Sequence, residues 1–328
     1  MSRPGVSIIV TGGTITMVAK DDAGIAPTLT GADLVAAVPA LSEVADISVT
    51  TPFLVPGASL SFLQMQQIGR LVDEAIAEGA DGVVVVQGTD TIDETAFLLD
   101  LVHAHAAPVV VTGAMRGAAA AGADGNANLL AAVTVAASPA ARGLGAVVVL
   151  NDEIHAARLV AKSHTALPSA FASPGFGPLG HVIEGRVRVG LRPSRIEVGL
   201  GYPMPDAAPV AIVSAGLGED ERMLRAVPTL SYRGLVIEGM GAGHLPANLA
   251  AACGEIAREL PVVLASRVLG GPIFTGTYGF PGSEIDLIGR GLIGAGYLSA
   301  HKARLLLALL LGAGRSQAEI AEAFAKFQ

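Results

Sequence analysis

The sequence is short of most features that advertise a function. Among 328 residues there is one cysteine, no tryptophan, four tyrosines and only 15% charged side chains. The single Cys253 excludes a disulfide framework and a cysteine-built metal site. It lies in an Ala-rich helical stretch and reads as a small buried hydrophobe. Lysine and arginine never cluster, and the formal net charge is −8. Nucleic acid needs a basic face, so that partner is excluded. The longest apolar run, 305–311, falls well short of the roughly 20 residues of a membrane span. No apolar signal core follows Met1-Ser2-Arg3-Pro4-Gly5, so the expected location is cytoplasmic.

What is present is hydrophobic: 51% of residues, with a mean hydropathy of +0.56. That excludes disorder, and the length suits two domains. Val-rich runs bounded by turn residues predict strands at 6–10, 47–53, 82–86, 108–112 and 145–150. Two capping boxes, Ser61 to Gln64 and Thr91 to Glu94, open helices that run to about residues 78 and 103, and a third helix covers 126–137. Alternating strands and helices mean a parallel sheet, buried on both faces. Pro168, Pro174 and Pro178 then mark loops, followed by a hairpin of 180–182 against 187–189. Pro193, Pro203, Pro205 and Pro209 mark a linker. A second series follows, with strands at 210–213, 235–237 and 262–265 and helices near 246–259, 299–311 and 316–324. The predicted fold class is α/β: a larger N-terminal domain (1–191) with a parallel doubly wound sheet, a linker (192–209), and a smaller C-terminal α/β domain (210–328).

Two short strings carry the chemistry. Thr11-Gly12-Gly13-Thr14-Ile15 follows the first strand, and Gly88-Thr89-Asp90-Thr91 follows the third. Open parallel sheets bind ligands outside the carboxyl ends of their strands. Gly12 and Gly13 let backbone approach a ligand, and Thr14 offers a hydroxyl. Taken alone, the first string is better explained as a plain strand-to-loop turn. The spacing fits neither phosphate loop nor dinucleotide fingerprint. Free N–H groups at the helix start after Gly88-Thr89-Asp90 favour an anion or an oxyanion, or Asp90 or Thr91 simply caps the helix. Lys162 is either a solvated lysine or an ammonium buried beside Thr89 and Asp90, where it takes a proton from a hydroxyl. Two hydroxyl loops and an acid on one sheet point to a covalent hydrolase with a threonine nucleophile. His103 and His105 flank a helix end, where a cation suits the dipole, and no histidine pair has metal-ligand spacing.

Taken together, these strings resemble the bacterial-type L-asparaginases. Further matches are Gln87 through Thr95 (with Gln87 where His is common), Gly113-Ala114-Met115-Arg116, Asp124-Gly125 with Asn128-Leu129, Asn151-Asp152-Glu153, Gly177-Pro178-Leu179-Gly180 and Lys302-Ala303-Arg304. They fall in family order over nearly the whole chain. The resemblance implies that Thr14 is the nucleophile forming an acyl-enzyme. Thr89, Asp90 and Lys162 form a second hydroxyl–carboxylate–ammonium group, and Asp90 pairs with the substrate α-ammonium. Ala114 contacts the scissile amide through its backbone, and Glu284 reaches the α-ammonium from a neighbouring subunit. It implies a homodimer or homotetramer, no cofactor, and L-asparagine as substrate, with L-glutamine as an alternative and a non-catalytic amino-acid binder as a second one.

Two departures from the family pattern stand out. All four tyrosines lie beyond residue 200, so the loop after the first string lacks the family's phenol. Tyr278, from a partner subunit, is the candidate replacement; packing is its alternative role. The serine that usually holds the substrate α-carboxylate aligns with Gly57 or, after a two-residue shift, with Ser59, in Pro56-Gly57-Ala58-Ser59. His244 occupies a loop where relatives often place Asn; it is either a donor to substrate or the cap of the next helix.

Overall fold

The computed structural model describes residues 3–19 and 25–328 and divides into two compact units. The first comprises residues up to Arg195 together with Gly201–Met204; the second comprises Ile196–Leu200 and Pro205–Gln328.

In the first unit, strands β1 (Gly5–Val10), β2 (Met17–Ala19), β3 (Ile25–Pro27), β4 (Asp46–Thr50), β5 (Gly82–Val86), β6 (Val109–Thr112), β7 (Ala146–Leu150), β8 (Glu153–Ala156), β9 (Ala161–Lys162), β10 (Phe171–Ala172), β11 (Gly180–Ile183) and β12 (Arg186–Val189) follow in chain order. Eight of them make one sheet in the order β12-β11-β8-β7-β6-β5-β1-β4. From β4 to β7 the neighbours are parallel, and β8, β11 and β12 extend the sheet antiparallel. β5, β6 and β7 are buried along their whole length, which their unbroken Val runs require. Each buried valine contributes about 1.5–3 kcal/mol of burial free energy.

The chain leaves β1 for β4 on one side and later leaves β5 for β6 on the other. The carboxyl ends of β1 and β5 therefore flank a topological switch point, where an open α/β sheet holds its ligand. Register aligns Val10 with Val86 and Val86 with Thr112, so three loops leave the sheet side by side.

Sequence expectations hold best where a regular element is long and buried. Ser61 caps the helix Phe62–Ala77 with both halves of its capping box. Thr91 does not behave as expected: it precedes the helix Ile92–Val102 but makes no cap hydrogen bond. Its hydroxyl donates instead to Gly57 O at 3.0 Å and accepts from Gln87 Nε2 at 3.2 Å. The second strand ends at Thr50, not 53. β8, β9 and β10, each four residues or fewer, fall where no strand was expected. Left-handed Asn151 (φ 53°) and Asp152 (φ 60°) form the tight β7–β8 turn. His103 is 3% exposed and neutral rather than a dipole-facing cation. Burial lowers its pKa to about 4, against the opposing hydrogen bond to Ala107 O.

The second unit is a four-stranded parallel sheet of β13 (Val210–Ser214), β14 (Gly234–Gly239), β15 (Val262–Ser266) and β16 (Ile293–Gly294). Helices Ala247–Ile256, Ala300–Gly312 and Gln317–Ala325 belong to it. Cys253 is fully buried in its core, and burial pushes the thiol pKa up to about 12, as a packing residue requires. No helix among the described residues is long and apolar enough to cross a membrane.

Candidate active site

Thr11 continues β1, and both its N–H (2.9 Å) and its hydroxyl (3.1 Å) donate to Val86 O, stitching the ends of β1 and β5 together. The chain then bends through Gly12 (φ 117°) and Gly13 (φ 88°), a region that L side chains rarely enter. A β-carbon on Gly13 would stand 2.2 Å from Gly88 N. Thr14 opens a 3-10 turn closed by Thr16, whose N–H (2.9 Å) and hydroxyl (2.7 Å) both donate to Gly13 O. Ile15 and Thr16 are buried, whereas Thr14 is half-buried. The turn thus presents one hydroxyl of three residues, and Thr14 Oγ1 bonds to no other described residue.

On the second loop Thr89 is buried and Asp90 is exposed. Lys162 Nζ donates to Thr89 Oγ1 at 2.9 Å and to Asp90 Oδ1 at 2.8 Å. Lys162 is therefore not a solvated lysine: its side chain is only 20% exposed and lies against the second loop. The exposed Asp90 makes the ion pair itself a weak source of stability. Its value is geometric, because a hydroxyl, a carboxylate and an ammonium share one point.

The third loop docks on the second through backbone. A β-carbon on Gly88 would stand 2.4 Å from Gly57 N, and one on Gly57 would stand 2.6 Å from Gly88 O. Gly13, Gly88 and Gly57 therefore meet without side chains between them. Ala58 and Ser59, on the 3-10 turn Gly57–Ser59, are exposed.

Ala114 is fully buried on the fourth loop. A β-carbon on the preceding Gly113 would meet Gln87 O at 2.5 Å. Asp124 accepts from Met115 N and Arg116 N, both at 2.9 Å, and from Asn128 Nδ2 at 3.0 Å. Asn128 also donates to Gly113 O (3.0 Å) and accepts from Asn151 N (2.9 Å). Gln87, Asp124 and Asn128 received no role from the sequence, and Thr91 received only that of a helix cap. The visible signal for Asp124 and Asn128 was an Asp and an Asn four apart at a helix start, which places both on one helix face.

His244, Tyr278 and Glu284 gather in the second unit. Glu284 is fully buried and its Oε1 accepts from Thr277 N (2.8 Å) and Tyr278 N (2.7 Å). Its Oε2 lies 3.3 Å from His244 Nε2. Burial raises the carboxyl pKa, but these N–H groups, its own N–H and His244 outweigh it, and the net shift is downward. Tyr278 and Phe280 meet the His244 ring edge-on at 4.8 and 5.2 Å. His244 is not a helix cap: the helix Ala247–Ile256 begins after Pro246 and has no side-chain cap.

Comparison with known proteins identifies the family. The N-terminal asparaginase domain profile matches residues 5–195, and the glutaminase/asparaginase C-terminal domain profile matches residues 209–324. A probable L-asparaginase of Deinococcus radiodurans is 38% identical, covering 98% of each chain. An L-asparaginase of Bacillus licheniformis is 34% identical over 93% of this chain and 95% of its own. The crystal structure of a probable cytoplasmic L-asparaginase from Campylobacter jejuni superposes with a TM-score of 0.86 at 31% identity, covering 98% of this chain and 99% of that one. With both domain profiles in order and relatives matched almost end to end, the chain belongs to the asparaginase/glutaminase family.

Proposed function

We propose that this protein is an L-asparagine amidohydrolase that works through an acyl-threonine. Thr14 Oγ1 adds to the side-chain carbonyl carbon of L-asparagine, and its proton passes to a general base. The base returns this proton to the amide nitrogen, and the tetrahedral intermediate expels ammonia and leaves an ester on Thr14. Water adds to that ester and expels the Thr14 alcohol, releasing L-aspartate. No cofactor enters these steps. Lys162, Thr89 and Asp90 serve the developing charge and the proton traffic, with Asp90 also receiving the α-ammonium. Ala114 offers backbone to the amide. The α-carboxylate falls to the Gly57–Ser59 turn, where N–H groups and the Ser59 hydroxyl supply donors.

One observation carries the reading: Lys162 Nζ bridges Thr89 and Asp90 on a loop whose Gly88 is in backbone contact with Gly13, the residue before Thr14. The base for Thr14 is assigned to Tyr278 of a neighbouring copy, with His244 as a donor to the substrate; Glu284, expected at the α-ammonium, is fully buried and holds the Thr277 and Tyr278 amides of that loop instead. Tyr278 is 41% exposed, so its ring is not committed to the core. This makes the working form a homo-oligomer, dimer or tetramer. The location that fits is the cytoplasm.

The deciding experiment is ammonia release from L-asparagine and from L-glutamine by the wild type and by Thr14→Ala. Release from asparagine that vanishes in the variant supports the proposal. Faster release from glutamine replaces the substrate. Amino-acid binding without release leaves a non-catalytic binder.

A further inference from the structure

Lys162 depends on a strand pair that cannot hold itself in place. β9 and β10 pair over only two residues each, Phe171 with Lys162 and Ala172 with Ala161, and form a sheet of their own. A ladder that short is marginal in water. Its turn is closed by Ser163, whose N–H (2.7 Å) and hydroxyl (3.0 Å) both donate to Ala170 O. On one side Lys162 N donates to Asp93 Oδ2 at 3.3 Å. On the other side, immediately after β10, Ser173 Oγ lies 3.0 Å from Nδ1 of His155, in β8 of the main sheet. Nε2 of the same ring lies 3.1 Å from Glu153 Oε2. His155 and Ser173 are 1% and 5% exposed.

The three side chains have the composition of a hydrolytic triad but not the access. No substrate reaches a serine and histidine this deeply buried. Bond directions are fixed by elimination. A carboxylate oxygen only accepts, so Nε2 carries the ring proton and donates to Glu153. Nδ1 then accepts, and the Ser173 hydroxyl donates to it. Burial keeps the ring neutral by lowering its pKa against the pull of Glu153, and nearby His181 acts in the same direction as burial.

We infer that Glu153, His155 and Ser173 form a buried positioning relay that anchors β10 to the main sheet and thereby holds the Lys162 ammonium at Thr89 and Asp90. The relay touches neither substrate nor reacting atoms. Its importance for turnover rests on the proposed role of Lys162; its effect on the position of Lys162 does not.

The test uses Ser173→Ala and Ser173→Thr in the full chain. The sequence has four lysines, at 20, 162, 302 and 326, so brief labelling by an amine-reactive anhydride followed by peptide mass spectrometry reports each separately. Lys302, 3% exposed in the second unit, is the control for general loosening. Ser173→Ala should raise Lys162 labelling about tenfold, the shift that one lost buried hydrogen bond produces, with Lys302 unchanged. It should lower kcat about tenfold with KM within about twofold, as losing an outer-shell orienting partner does. Ser173→Thr should keep both near wild type. Unchanged Lys162 labelling in Ser173→Ala overturns the inference, as does parallel labelling of Lys162 and Lys302. Raised Lys162 labelling with kcat unaltered overturns the link to turnover. If the wild type releases no ammonia, the functional proposal fails, while the labelling still decides the relay.

Discussion

Gly13 and Gly88 are in contact through backbone alone, close enough that a β-carbon on Gly13 would lie 2.2 Å from the Gly88 nitrogen and 2.3 Å from its α-carbon. The Thr14 loop and the Thr89 loop are thereby fixed to each other. Gly13→Ala must both enter a left-handed backbone region and push the second loop away. It should destabilise the protein by about 2 kcal/mol or more and remove most activity. Urea unfolding with ammonia release from asparagine checks it; a variant within 0.5 kcal/mol of wild type, by the ordinary surface-substitution scatter of about that size, contradicts it.

Thr14 and Lys162 should contribute to one chemical event. Thr14→Ala should reduce kcat by at least about 10³-fold, and Lys162→Met by about 10²–10⁴-fold. Their double variant should be scarcely slower than Thr14→Ala, because residues acting as a unit are not additive. Steady-state kinetics of the three variants give the cycle, and simple multiplication of the two losses would separate the groups mechanistically.

Tyr278→Phe keeps the ring that meets His244 and Phe280 and deletes only the hydroxyl. With Tyr278 as the base, kcat should fall about 10²-fold or more with little change in melting temperature. Full turnover would return Tyr278 to packing and leave the deprotonation of Thr14 to another group.

Asn128→Leu fills a similar volume but leaves Gly113 O and Asn151 N without the Asn128 side chain, and Asp124 Oδ2 with Met115 N as its donor. Buried polar groups without partners cost about 1–3 kcal/mol, so stability should fall by about that amount. The Ala114 loop should loosen with it, raising hydrogen exchange at Met115 and Arg116, whose amides bind Asp124.

His103 predicts acid sensitivity of the first unit. Its folded pKa is about 4 against 6.5 when free, chiefly through burial, with Ala107 opposing. The unfolded ring takes up its proton as pH falls through about 6.5, while the folded one resists until about 4. Stability present above 6.5 is therefore lost across that window, by about 3 kcal/mol. His155, also lowered by burial, acts in the same direction. His103→Gln should flatten the fall in urea midpoint between pH 7 and 5. An equally steep fall in the variant would locate the sensitivity elsewhere.

Much of this was legible in the chain. The Val-rich strands and the Ser61 capping box are local patterns, and such local patterns survive folding. The threonine strings also showed that threonine hydroxyls stand at strand ends. β8, β9 and β10 were not legible, because strands of two to four residues carry too little periodicity and exist only through their partners. Thr91 misled for a related reason: its sequence context fits a capping box, but Gly57 and Gln87 compete for the same hydroxyl from outside the helix.

Composition and motif order by themselves determined the α/β class and the family, because those follow from which side chains occur and in what local pattern. Only the tertiary structure decided that the first two loops meet at a switch point between β1 and β5, that glycines at 13, 57 and 88 close the gap between three loops, and that Lys162 belongs to Thr89 and Asp90. Those are contacts between residues tens of positions apart, fixed by sheet order and strand register, and no local stretch of sequence encodes which strand becomes whose neighbour.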